Sequence, residues 1–199
     1  MKTSNNTGRK YVVLLFSLIL MSFAGLSCSD EVDESNLYVF TGEQATDYIA
    51  SQPELSKYLV LLKKAKSGKK GSTMDHMLEA RGNYTCFVPT NDAVQAFIDS
   101  VYDTKNYDVN AVPDSFAQVI VFNSIIDNGN TDAYLSTDFQ EGVLQLKTMA
   151  DRYIIIGFAA SDTGRAVTVV NTFSKILVSD REVGNGVVHV VDHVVDVIV

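Results

Sequence analysis

The stretch Tyr84–Phe97, YTCFVPTNDAVQAF, decides the fold. Alternation along its first half sends Tyr84, Cys86 and Val88 to one side and Thr85 and Phe87 to the other. Both sides are largely apolar, which suits a central strand buried on two faces rather than an exposed edge. Pro89 has no N–H to give a neighbouring strand, so the ladder stops there. Thr90 or Asn91 then caps the free amides of a new helix, and Asp92 sits at its positive end. Ala93, Val94, Phe97, Ile98 and Val101 recur at helical spacing and give that helix one stripe for the core.

A second stretch with the same density of signal lies near the C-terminus, Asn185–Asp192, NGVVHVVD. The first stretch resembles the first signature of fasciclin domains, an aromatic strand followed by Pro-Thr-Asn-x-Ala. The second resembles the other signature of that family, in the right order and about a hundred residues on. The resemblance implies an α+β fold: a single fasciclin-like domain, residues 40–199, built as a wedge-shaped β-sandwich of about seven strands with helices packed alongside. It makes Thr90, Asn91, Asn185, Gly186, His189 and Asp192 the signature residues, with His189 a structural hydrogen-bonding residue. It implies a non-enzymatic adhesion or protein-interaction module. Many fasciclin domains carry a Tyr-His pair, linked in some animal members to integrin binding, where this chain has Phe122-Asn123. The missing His removes the ground for carrying integrin binding over.

Length and composition fit that reading. At 199 residues and 46% hydrophobic content, the chain supports one good core. Its formal charge is −8, and loss of a leader whose only charges are Lys2, Arg9 and Lys10 takes this to −11. That balance argues against nucleic acid as a partner, because phosphate neutralisation requires a basic face. Only Cys28 and Cys86 are present, one beside the leader and one in the core strand, so no disulfide is expected between them.

Residues 1–27 have the layout of an export signal: a charged start, the apolar run Tyr11–Phe23, then Ala24, Gly25 and Ser27. The run is shorter than the ~20 residues a bilayer-spanning helix needs. Gly25-Leu26-Ser27-Cys28 resembles a bacterial lipoprotein cleavage site, which implies cleavage before Cys28 and a lipid on its thiol. An ordinary signal followed by an incidental cysteine is the alternative. Residues 28–39 then form an acidic flexible linker around Asp30, Glu31, Asp33 and Glu34. That cluster is a solvated spacer, or it resembles the export signal that sends some lipoproteins to the exterior of the outer membrane. The expected location is the outer membrane, lipid-anchored and facing outward.

Between the linker and the first signature the pattern is helical. Thr41-Gly42-Glu43-Gln44 has the form of a capping box, and Ser51-Gln52-Pro53-Glu54 repeats it. Leu55, Tyr58, Leu59 and Leu62 make the core stripe of the helix that comes next, and Met74, Met77 and Leu78 that of a shorter one. Lys63, Lys64, Lys66, Lys69 and Lys70 gather at a helix end, where they complement its negative pole; a site for an acidic glycan is the sharper alternative. After a polar and aromatic surface excursion at 101–112, residues 114–122 read as a helix with Phe116, Val119 and Ile120 inward. Strands come after it at 152–158, 166–170, 175–178 and 186–199, with a turn at 127–130.

Little in the sequence points to catalysis. His189, Asp192, His193 and Asp196 tempt a metal assignment, but the valines around them favour a strand. Four residues on a strand advance about 13 Å, too far for two imidazoles to share one zinc. Cys86 sits mid-strand, where a thiol stays protonated and inert. No Gly-x-Ser-x-Gly elbow or phosphate-binding glycine loop is present. Neither an enzyme nor a cofactor or metal is therefore expected. The second functional reading is an accessory glycan-binding lipoprotein beside an outer-membrane nutrient transporter, with Tyr102, Tyr107 and Tyr134 as loop aromatics for sugar stacking.

Overall fold

Strand β1, Tyr84–Pro89, is buried at every residue, and the rest of the fold is arranged on its two sides. The structure is a computed structural model that describes residues 42–68, 71–139, 144–160, 166–171 and 173–195. Ahead of β1 come helices α1 (Ala45–Ser51), α2 (Ser56–Lys64, led in by a 3₁₀ turn at Pro53–Leu55) and α3 (Met74–Glu79). After it come α4 (Asn91–Tyr102), α5 (Asp114–Ser124) and strand β2 (Ile125–Asp127). The remaining strands are β3 (Leu144–Lys147), β4 (Tyr153–Ala160), β5 (Ala166–Val170), β6 (Ser174–Val183) and β7 (Gly186–Val191).

The strand order is β2-β1-β7-β6-β5-β4-β3. Among the described strands only β1 and β7 run parallel, from Tyr84 opposite Gly186 to Pro89 opposite Val191. Strand β6 belongs to both halves of the sheet. Its first residues, Ser174 and Lys175, pair with β5, while Ile176 to Val183 pair with β7 through two register shifts. Such shifts bend a strand and re-aim its continuation, so β6 changes direction as it passes from one half of the sheet to the other.

This bend creates two cores. Cys86, Val88, Val188 and Val190 face the helices, packing with Ile49, Tyr58, Leu62, Leu78 and Ile120. Phe87 and Val191 face the other way, onto Ile154, Ile156, Leu146 and Val170 of the second half. The β1–β7 pair is therefore dry on both faces, which is why its sequence is almost continuously apolar. In the helical layer, buried Tyr58 donates its hydroxyl to Ser124 Oγ at 2.6 Å, because the Ser124 hydroxyl is spent on the Val121 carbonyl at 2.9 Å.

Four local expectations need correction. Helix α1 starts after Gln44 rather than at Thr41, which lies outside the described residues; the Gln44 N–H is held by the Asp47 carboxylate at 3.1 Å. Ser51 caps nothing ahead of it, since it ends α1 with its hydroxyl turned back to the Tyr48 carbonyl. In α5 the buried stripe is Ala117, Ile120, Val121 and Ser124, and Val119 is 55% exposed. Strand β7 stops at Val191, before the valine run ends, because Asp192 turns to take the Lys175 N–H on its carboxylate. Strand β3 carries too short a pattern, four residues with a single buried one, to be read from sequence.

Gly186 occupies a backbone conformation closed to side chains, with φ 146°. A Cβ there would lie 2.0 Å from the Tyr84 carbonyl oxygen, at the first parallel pair of β1 and β7. Gly186→Ala is expected to lower the urea midpoint of unfolding sharply, by well over the roughly 1 kcal/mol of an average substitution. An unchanged midpoint would show that β1 and β7 do not begin in this register.

Candidate functional site

The signature residues fall into three groups around the β1–β7 pair. At its start, Asn185 is fully buried, and its side chain reaches three backbone groups. Its Oδ1 accepts from Ala45 N at 2.9 Å, and its Nδ2 donates to the carbonyls of Leu78 at 2.6 Å and Ala80 at 3.0 Å. Those partners are the first free amide of α1 and the last free carbonyls of α3, groups a helix cannot satisfy for itself. The Asn185 carbonyl also receives the Tyr84 N–H, at 2.9 Å.

At the far end of the pair sit Thr90, Asn91 and Asp192. Thr90 Oγ1 accepts from Ala93 N at 3.3 Å and so caps α4, as its place at the junction suggests. Asn91 does something the local sequence does not announce. Its Oδ1 accepts from Lys57 N at 2.8 Å and its Nδ2 donates to the Pro53 carbonyl at 2.9 Å, so it caps α2 from 34 residues away. Asp192 clamps the start of β6, taking the Lys175 N–H at 2.7 Å, while its own N–H goes back to the Lys175 carbonyl at 3.0 Å. These three, with Glu54, Asp92 and Leu177, line an open cleft of about 460 Å³. Its charged groups are all carboxylates, and no histidine, lysine or buried nucleophile lines it.

His189 lies between the two ends, on the opposite face. Its ring is fully buried, stacked on Phe87 at 5.3 Å between centroids and tilted against Phe139 at 5.4 Å. Nε2–H donates to the Tyr134 carbonyl at 3.0 Å, and Nδ1 accepts the Asp180 N–H at 3.3 Å. Burial pushes its pKa down, partly opposed by the Tyr134 bond and the nearby Asp180 charge, so the ring is neutral with its proton on Nε2. Asp180 in turn takes the Ser136 N–H at 2.6 Å and the Ser136 hydroxyl. Partial burial alone would raise the Asp180 pKa, but those two bonds and the imidazole hold it below the usual carboxylate range.

Elsewhere the geometry is equally structural. His193 is exposed and bonded to Asp192, far from His189 in role; Asp196 lies outside the described residues. Among the described residues no group of three or more His, Cys, Asp or Glu is placed to hold a metal ion. The Cys86 thiol is buried and pushed up to about 12, so it carries no thiolate at neutral pH. Lys64 reaches the Val112 carbonyl at 2.9 Å, and Lys66 lies 3.8 Å from Asp114. Lys63 and Lys64 stand in the last turn of α2 as expected, and Lys64 and Lys66 also reach toward the start of α5. Lys69, Lys70 and the lipid-bearing Cys28 expected from sequence lie outside the described residues. No described helix is long and apolar enough to cross a membrane.

The loop tyrosines are not open stacking platforms. Tyr102 and Tyr107 cover each other, 4.2 Å apart and nearly parallel, and Tyr134 packs on the second core. What sequence reading missed is Asp99, whose carboxylate takes the N–H groups of Asn106 and Tyr107 and thereby shapes the 101–112 excursion. An Asp with an aromatic eight residues further on carries no local mark of that closure.

Residues 53–197 match the family described as Fasciclin domain. The chain belongs to the fasciclin-domain family, whose members are associated with cell adhesion and protein interaction and are generally non-enzymatic. Its fold is similar to that of a FAS1 domain pair from the insect cell adhesion molecule fasciclin I, with a TM-score of 0.59 and 20% identity. The match covers 77% of this chain and 51% of that one, so the chain spans about half the length of that structure. No curated protein matches it.

Thr90→Ala is expected to cost about 1 kcal/mol, the usual value of a helix cap. Asn91→Ala should cost at least as much, because it strips the Lys57 N–H at the start of α2 of its side-chain cap. Both should show as lower melting temperatures. Unchanged melting in Asn91→Ala would contradict its role in joining α4 to α2.

Proposed function

We propose that this chain is a non-enzymatic, lipid-anchored cell-surface fasciclin domain that mediates adhesion by docking a protein or matrix partner. Its leader and Cys28 supply the anchor, and residues 28–39 supply the tether that carries the domain clear of the outer membrane. The net charge of −8 weighs against nucleic acid as a partner.

One observation favours a protein partner. Strands β4 and β6 present large apolar side chains to solvent. Ile154 and Ile156 of β4 pack on the second core, while Tyr153 and Ile155, which alternate with them, are 58% and 38% exposed. On β6, Ile176 packs inward and Leu177 is 57% exposed. β4 and β6 belong to one sheet with β5 between them, and large apolar side chains exposed on one sheet suit a protein partner. The mutual stacking of Tyr102 and Tyr107 covers one face of each ring, which weighs against the glycan reading.

The test is a binding array of matrix proteins and glycans probed with the full-length chain and with a Tyr153→Ser/Leu177→Ser variant. The expected outcome is capture by a protein ligand that weakens tenfold or more in the variant, with melting unchanged. Capture by glycans alone, insensitive to the variant, would contradict it. Separately, metabolic labelling with a fatty acid is expected to mark the wild type and not Cys28→Ser. An unlabelled wild type would remove the anchor.

A further inference from the structure

The segment Tyr134–Phe139 crosses the second core as a strap, held by side chains that do not belong to it. Thr85 Oγ1 takes its Tyr134 N–H at 2.9 Å, and His189 Nε2–H donates to the Tyr134 carbonyl at 3.0 Å. Two residues on, Asp180 grips Ser136 by both its N–H and its hydroxyl. At its end Phe139 is buried against Phe87 and His189, with ring centroids at 6.3 and 5.4 Å. His189 and Asp180 are themselves joined, because Nδ1 accepts the Asp180 N–H at 3.3 Å. Asp180 holds this position at φ 59°, a left-handed conformation that a short polar side chain tolerates.

We propose that Tyr134–Phe139 is an acid-released strap, opened when His189 takes a second proton on Nδ1. That proton comes from solvent and would meet the Asp180 N–H head on, so two donors face each other where one bond existed. The imidazolium then offers the Asp180 carboxylate a charged partner in place of Ser136. The Ser136 fastening weakens while the charged Nε2–H still holds the Tyr134 carbonyl, so the strap swings from Tyr134 and its far end uncovers the apolar faces of Phe87 and Phe139.

The surrounding charges are compatible with this. From β6 the ring faces Asp180, the ionisable group whose charge reaches it. Arg181 next to it is turned to Glu43 and stacked over Tyr48, and Glu182 is exposed. On the strap, the Asp138 carboxylate is occupied by the Leu135 N–H at 2.7 Å. From β1 the ring meets Phe87, while Tyr84 and Cys86 lie on the helical side of that strand.

The sign comes from burial. The closed strap keeps the His189 pKa below its ordinary value, so the open state binds more protons as the pH falls through that value. The strap is fully closed above the ordinary histidine range and loosens below it. Asp180, held below the usual carboxylate range, is still ionised in that window. Each pKa unit separating closed from open states changes their ratio about tenfold.

Amide hydrogen exchange on the full-length chain, as protection factors between pH 7.5 and 5.0, tests this, with the His189 imidazole titrated by NMR in the same samples. Protection at Ser136 is expected to fall at least tenfold while that at Tyr134 and Phe87 holds, with a midpoint matching His189. His189→Gln is expected to lose the pH step. Should that variant not fold, agreement of the two wild-type midpoints decides the question. Flat protection at Ser136, a loss shared equally with Phe87, a midpoint away from that of His189, or a pH step surviving in His189→Gln would overturn the proposal.

Discussion

One buried amide holds the helical layer to the sheet. The Asn185 side chain gives its oxygen to the start of α1 and its nitrogen to the end of α3, and its backbone carbonyl fixes the start of β1. A fully buried amide is tolerated only when its donors and acceptors are matched, and an unmatched one costs its desolvation. Here the match is made entirely with groups that would themselves be orphans at helix ends. Gly186 comes next because β1 passes so close that no side chain fits beside the Tyr84 carbonyl. The two residues act as one device: the amide sets where the helices end, and the glycine lets the parallel strand approach.

From that point the fold is built outward in two directions. Toward the helices, Tyr58 and Ser124 carry a hydrogen-bonded relay inside an otherwise apolar layer. Toward the second half of the sheet, β6 bends so that a single strand serves two halves, and His189 fills the polar opening left where its register shifts. The ring therefore does two jobs with one tautomer. It satisfies the bulged backbone of β6 at Asp180, and it pins the strap that closes the second core at Tyr134.

What could be read from sequence was local. The alternation of Tyr84–Val88 is a direct image of two dry faces, and Thr90 caps the helix that starts beside it. Asn91 stands next to it with the same chemistry but serves α2, whose sequence lies 34 residues back, and no local pattern encodes such a partner. Val119 misled because α5 is apolar on more than one side, so hydrophobicity alone did not choose its buried face. The valine run after Gly186 promised a longer strand, and a single Asp192 carboxylate turned the chain instead. At the candidate site, His189 was legible as a structural residue, whereas Asp180 and Ser136, which share its task, carry no mark beyond being polar.

Family membership and the exposed apolar side chains of β4 and β6 together favour a module that works by contact rather than by chemistry. Its scaffold rests on Asn185. Native-state hydrogen exchange on Asn185→Asp tests that most directly, because the substitution keeps the shape and turns a donor into an acceptor facing the Leu78 and Ala80 carbonyls. The expected result is a loss of about 3 kcal/mol of protection in α1 and α3, while β4 and β5 keep theirs relative to the new global stability. Unchanged protection in α1 and α3 would contradict the claim that this amide ties the two layers together.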